Sequence, residues 1–233
     1  MTDTTRWGEV QGQEITFPME VEELRAATVL WSVPAAAAAA LLPGDAFEVV
    51  EVAPGTAQLV MAAVDYVRNP WGDYDELNLG FLARPTGAPA DVIGSFVYRM
   101  PVNQAFTCEA GNRVMGFPKT VEELAATYTT TTVSFRLTMA GQHVLTLSLP
   151  RAEPTGPAER VEATSYSYLD GVPYGTDLSM DMGTGFVDPS EVVLELGDSP
   201  VADELRGLGL PGPPDVAIWG EGLSATFLLG RPI

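Results

Sequence analysis

Apolar and polar positions alternate along most of this chain with a period of two, and glycine or proline breaks the alternation at short intervals. The pattern predicts strands over residues 47–52, 58–67, 77–83, 92–100, 128–139, 143–149, 161–168, 192–196 and 225–229. Within 128–139, the run Tyr128-Thr129-Thr130-Thr131-Thr132-Val133-Ser134-Phe135-Arg136-Leu137 is rich in β-branched side chains, which fit a pleated surface. It reaches the next strand across Ala140-Gly141-Gln142, a connection of hairpin length. Helical signals are few. Residues 34–42 are alanine-rich, with Pro34 where a first turn tolerates proline. Ser199 is placed to cap a helix over 200–208, and 103–111 predicts another short one. Thr120 and Glu123 stand at capping-box spacing, enough for a single turn between strands. No repeat or low-complexity linker interrupts the pattern. The expectation is one mainly β (α+β) domain over residues 1–233, mostly antiparallel, closed or nearly closed into a barrel- or cone-like sheet.

Composition narrows the function classes. The chain has 31 acidic residues against 12 basic ones, a formal charge of −19. Such a surface repels phosphate backbones and anionic membranes, so no nucleic-acid or membrane partner is expected. No stretch is apolar for long enough to span a bilayer, and the first residues lack a basic flank followed by an apolar segment. A cytoplasmic location is the expectation. A lone cysteine, Cys108, excludes an internal disulfide and a cysteine-rich zinc site. It reads as a small buried hydrophobe. The single histidine, His143, lies in a strand-like run and reads as structural. Asp73-Tyr74-Asp75-Glu76 lacks the glycine and further oxygen ligands of a calcium loop, so neither metal nor cofactor is expected. Lys119 is the only lysine.

The informative stretch runs from Arg99-Met100-Pro101 through Gly111-Asn112-Arg113-Val114-Met115 to Gly116-Phe117-Pro118-Lys119. It resembles the signature of the acetoacetate decarboxylase superfamily, in which a strand and a short helix lead into a lysine-bearing loop ending Gly-Tyr-Pro-Lys. Trp71-Gly72-Asp73-Tyr74-Asp75-Glu76 is similar to the family segment that supplies a buried active-site glutamate, with Glu76 in the matching place. Arg25 falls within one residue of the family's active-site arginine. The resemblance covers residues 24–150 and, more loosely, the rest. It implies a homo-oligomer acting on a small-molecule substrate. Counting back from Gly116-Phe117-Pro118-Lys119 puts Arg113 and Val114 where the family keeps its Schiff-base lysine and the adjoining cation. Arginine stays protonated and cannot form an imine.

Three readings follow from that departure. In the first, Arg113 clamps an anion and Glu76 moves a proton, giving cofactor-independent dehydration, cyclisation or isomerisation of a small oxo acid or polyketide-like compound without a Schiff base. In the second, Lys119 takes over imine chemistry and decarboxylates a 3-oxo acid. In the third, the cavity has lost its nucleophile and only binds ligand. Glu76, Arg113 and Lys119 are the catalytic candidates, and Arg25, Trp71, Tyr74, Phe106, Met115 and Phe117 are the candidates for lining the pocket. Each also has a plain alternative: a solvated acidic loop for Glu76, a surface ion pair for Arg113, core packing for the aromatics.

Overall fold

The computed structural model describes residues 4–233. Seven strands close a barrel: Met19–Pro34, Thr56–Arg68, Tyr74–Pro85, Gly94–Val102, Glu159–Leu169, Val172–Met182 and Val216–Phe227, the last pairing back to the first. All these pairings are antiparallel except that of Gly94–Val102 with Glu159–Leu169, which is parallel and short. A second, four-stranded antiparallel sheet (Glu123–Tyr128, Thr132–Met139, Gln142–Pro150 and Val193–Leu196) packs on the outside of the barrel.

Residue parity decides what each barrel strand buries. On the outward face, Ala27, Val29 and Trp31 meet Leu59, Met61, Leu77, Leu79 and Phe81, and the second sheet adds Val133, Phe135, Leu145 and Leu147. The intervening even-numbered residues, among them Leu24, Ala26, Val64, Tyr66, Tyr74 and Glu76, face the barrel interior. Both faces of these strands are therefore covered. A register shift at Glu23/Leu24 sets the parity, so that Met19 also faces inward.

Most expected strands and all three expected helices are present, as Ala35–Ala39, Ala105–Met115 and Pro200–Gly207. Ser199 Oγ accepts from the Ala202 N–H at 3.2 Å, the expected cap. The 128–139 run differs: it is two strands joined by a turn at Thr129-Thr130-Thr131. Thr129 Oγ1 accepts from the N–H groups of Thr131 (3.3 Å) and Thr132 (3.0 Å), so a hydroxyl overrides the strand preference of a β-branched run. Thr120 starts no helical turn, because Lys119–Val121 is a short strand parallel to Gly94–Val102. The 225–229 signal is the end of the longer Val216–Phe227 strand. Val172–Met182 and the hairpin Thr5–Val10/Gln13–Phe17 lie outside the sequence expectation.

The Ala105–Met115 helix closes one end of the barrel. Gln104 caps it, its Oε1 accepting from the Thr107 N–H at 2.8 Å. Gly116 ends it at φ 65°, and a Cβ there would meet the Tyr168 carbonyl oxygen at 2.4 Å. That turn sends Phe117-Pro118-Lys119 back across the helix and into the barrel wall.

Candidate active site

A cavity of about 380 Å³ occupies the barrel interior. Across three adjacent strands its wall is built in layers set by the strand register: Leu24, Tyr66 and Tyr74; then Ala26, Val64 and Glu76; then Thr28, Ala62 and Asn78. Alanine at two of these positions leaves the space that larger side chains would fill. Met100, Met115 and Phe117 line the side from which the lysine enters.

Lys119 Nζ lies 2.7 Å from Glu76 Oε2, and the two side chains are 4% and 6% exposed. The contact is an ion pair without hydrogen-bond alignment, since Oε2 has no directed hydrogen-bond partner. Nζ donates to Thr107 Oγ1 at 3.1 Å and stands 5.2 Å from the centre of the Tyr74 ring. Tyr66 stacks on Tyr74 at 4.4 Å and donates a long hydrogen bond, 3.4 Å, to Glu76 Oε1. Burial, reinforced by the Glu76 charge, pushes both phenols well above their ordinary range, so they remain neutral donors.

Asn112 brackets the backbone of Lys119 on both sides. Asn112 Oδ1 accepts from the Lys119 N–H at 2.9 Å, and Asn112 Nδ2 donates to the Lys119 carbonyl at 3.1 Å. Cys108 adds a thiol donor to the same carbonyl at 3.4 Å, and burial raises its thiol above the ordinary value. The cysteine serves as packing and a weak donor, with Lys119's main chain as its partner.

Of the residues expected at the site, Glu76, Lys119, Trp71, Tyr74, Met115 and Phe117 line the cavity together. Arg25, Phe106 and Arg113 do not. Arg25 has the opposite parity and points outward, where it pairs with Asp65 Oδ2 at 3.0 Å and lies over the Tyr128 ring. Leu24 takes the inward place beside it. Arg113 stands on the solvent side of its helix, half exposed, paired with Glu109 one turn back at 2.9 Å and near the Trp7 ring. Its guanidinium and Glu76 are not brought together. Phe106 packs edge-on against Trp71, at 6.3 Å, behind the wall. Tyr66, Asn78, Thr107, Gly111 and Asn112 are the site residues that pattern reading passed over. Tyr66 and Asn78 were within reach, since each is an even number of residues from Glu76 or its cross-strand partner Val64.

Charged residues on the cavity wall are Lys119, Glu76 and, at the exposed rim, Glu162; among the described residues no arginine lines it. Among the described residues, no group of three histidine, cysteine or acidic side chains is placed to hold a metal ion. No helix among them is long and apolar enough to cross a membrane.

The model of the acetoacetate decarboxylase (ADC) family matches residues 4–182. No curated protein matches the sequence. Among solved structures the fold is similar to an acetoacetate decarboxylase, with a TM-score of 0.68 and 14% identity over 93% of this chain and 89% of that one. It is also similar to the acetoacetate decarboxylase of Legionella pneumophila, with a TM-score of 0.66 and 16% identity over 93% and 87%. A third neighbour is the enduracididine biosynthesis enzyme MppR, complexed with the condensation product of pyruvate and imidazole 4-carboxaldehyde, with a TM-score of 0.56 and 16% identity over 94% and 90%. At these identities the neighbours establish the fold.

Proposed function

Because the chain belongs to the acetoacetate decarboxylase family, we propose that it is an imine-forming lyase acting on a small carbonyl compound, with Lys119 as the reactive amine and Glu76 as the proton carrier. The observation that carries this reading is the Lys119–Glu76 pair, 2.7 Å apart and buried in an otherwise apolar cavity. Passing one proton from Nζ to Oε2 removes both charges and frees the amine lone pair. The amine then attacks the carbonyl carbon, a C–N bond forms, and the hydroxyl of the carbinolamine leaves as water after Glu76 returns the proton. The resulting iminium draws electrons from a bond one carbon away. That bond breaks with its electrons retained as an enamine, and the other group departs as an electrophile, either a carbonyl fragment or a proton taken by Glu76. Protonation of the enamine carbon by Glu76 restores the iminium, and water hydrolyses it to release the product and the Lys119 amine.

Low dielectric around the pair strengthens this exchange, and the neutral phenol of Tyr66, stacked on Tyr74, donates to the carboxylate without competing for its proton. The MppR neighbour binds a condensation product of pyruvate and an aldehyde, so carbon–carbon bond chemistry at a carbonyl suits this fold. The imine-free reading needs an arginine beside the substrate anion, and Arg113 stands outside the cavity.

The test is reduction with borohydride in the presence of a panel of ketones and oxo acids, read by intact mass and peptide mapping. The expected result is one substrate mass added at Lys119 and none in Lys119→Met. Multiple turnover of a compound that leaves Lys119 unlabelled would overturn imine chemistry.

A further inference from the structure

We infer that the substrate is an uncharged carbonyl compound, with an apolar body and one further hydrogen-bonding oxygen that Asn78 receives, and is not an oxo acid. The chemistry of this inference rests on the imine reading; the recognition it describes rests on the cavity wall alone.

Charge balance comes first. Lys119 and Glu76 neutralise each other at 2.7 Å, and among the described residues the remaining charged side chain on the wall is Glu162 at the rim. Its outward parity carries Arg25 away from the cavity and onto Asp65. A substrate carboxylate would enter past an acidic rim, on a protein of formal charge −19, and among the described residues the wall offers it no free cation. Once formed, the iminium at Nζ already faces Glu76, so the carboxylate would be a second anion beside a single positive charge. Burying an unpaired carboxylate in an apolar cavity is strongly unfavourable.

Asn78 supplies the second observation. It shares the inward face of its strand with Glu76, two residues along, which places its side chain about 7 Å from Glu76 along the cavity wall. Its Oδ1 is buried and has no hydrogen-bond partner. Among the described residues no protein group takes the amide's Nδ2 either, and Asn78 lines the cavity, so Nδ2 is a donor available to a hydroxyl, ketone or ester oxygen of a ligand. Thr28 lies in the same layer of the wall, and Ala62 between them leaves room for that group.

Methyl 5-oxohexanoate and 5-oxohexanoate test the inference, since they differ chiefly in charge; heptan-2-one is the control without a distal oxygen. Half-saturating concentrations are measured by borohydride trapping at Lys119 and, independently, as equilibrium binding by calorimetry without reductant. The ester should act at least about tenfold below the oxo acid. Asn78→Leu should raise the ester's value about three- to tenfold relative to that of heptan-2-one, the worth of one neutral hydrogen bond. Equal or tighter use of the oxo acid, binding of neither probe, or indifference of the ester to Asn78→Leu overturns the inference. If no probe is trapped but the ester still binds more tightly in an Asn78-dependent way, the imine reading fails and the recognition stands.

Discussion

Gly111 makes the room that Lys119 occupies: a Cβ on Gly111 would lie 2.7 Å from both Cδ and Cε of the lysine and 3.4 Å from Nζ. The helix and the Lys119 side chain therefore cross at a point where only hydrogen fits. Gly111→Ala should shift Lys119 away from Glu76 and Thr107 while sparing the fold. Alanine gains about 1 kcal/mol over glycine inside a helix, which offsets much of the roughly 1–3 kcal/mol typical of overpacking. The expected outcome is a melting temperature within a few degrees of the parent and a loss of imine trapping of about tenfold or more. Unchanged trapping with intact stability would show that the lysine does not act from this position.

Arg113 supplies the contrasting case. Its guanidinium holds Glu109 on the surface of the helix and is 51% exposed, so its removal should cost no more than the few tenths of a kcal/mol typical of such a pair. Arg113→Ala is expected to leave borohydride trapping at Lys119 and its concentration dependence unchanged. A collapse of trapping in this variant would return the arginine to the mechanism.

How far the sequence reveals the site depends on where parity is fixed. Glu76 and Lys119 were legible from the Trp71–Glu76 segment and the Gly116-Phe117-Pro118-Lys119 ending, and the structure places them together. Their pairing was not legible, because 43 residues separate them and only the helix-then-turn geometry at Gly116 brings Lys119 back to the wall. Arg25 was one residue off for a similar reason. A single step along a strand reverses the face, and the register shift at Glu23/Leu24 that decides the face leaves no mark in composition. The barrel was readable as a class from its alternation. The Met19–Pro34 strand was obscured because the register shift at Glu23/Leu24 breaks its alternation and because, from Ala26 to Trp31, both faces are largely apolar, one toward the cavity and one toward the second sheet.

Asp75 shows the other side of the same strand. It sits directly across from Asp65 on the outward face, where its Oδ2 accepts from the Ala126 N–H at 3.1 Å and from Asn103 Nδ2 at 3.0 Å. Burial, with the Asp65 charge adding to it, pushes its carboxyl up to about 6 against those two donors. A carboxyl raised in the folded state binds its proton more tightly there than in the unfolded chain. Its stabilising contribution is therefore full below about pH 4 and is lost as pH rises through about 6. Asp75→Asn keeps an acceptor for both donors and carries no charge. Thermal denaturation from pH 4 to 8 should show the variant equal to the parent at the acid end and more stable at neutral pH. A parallel pair of curves would mean that Asp75 does not titrate in this window.

The buried pair itself makes the strictest prediction. Lys119 and Glu76 are each more than nine-tenths buried, so removing either charge alone strands the other in an apolar cavity. Lys119→Met should cost about 3–5 kcal/mol of stability, as should Glu76→Leu, since each leaves an uncompensated ion. The double variant places two apolar side chains where an ion pair was, and such replacements are often neutral or stabilising. Its loss should therefore be far smaller than the sum of the single losses, with a coupling of about 3 kcal/mol or more in the cycle. Denaturant titration of the four proteins measures it. Additive losses would mean that the two groups are not charged together in the free protein, and the proton exchange proposed for imine formation would lose its starting state.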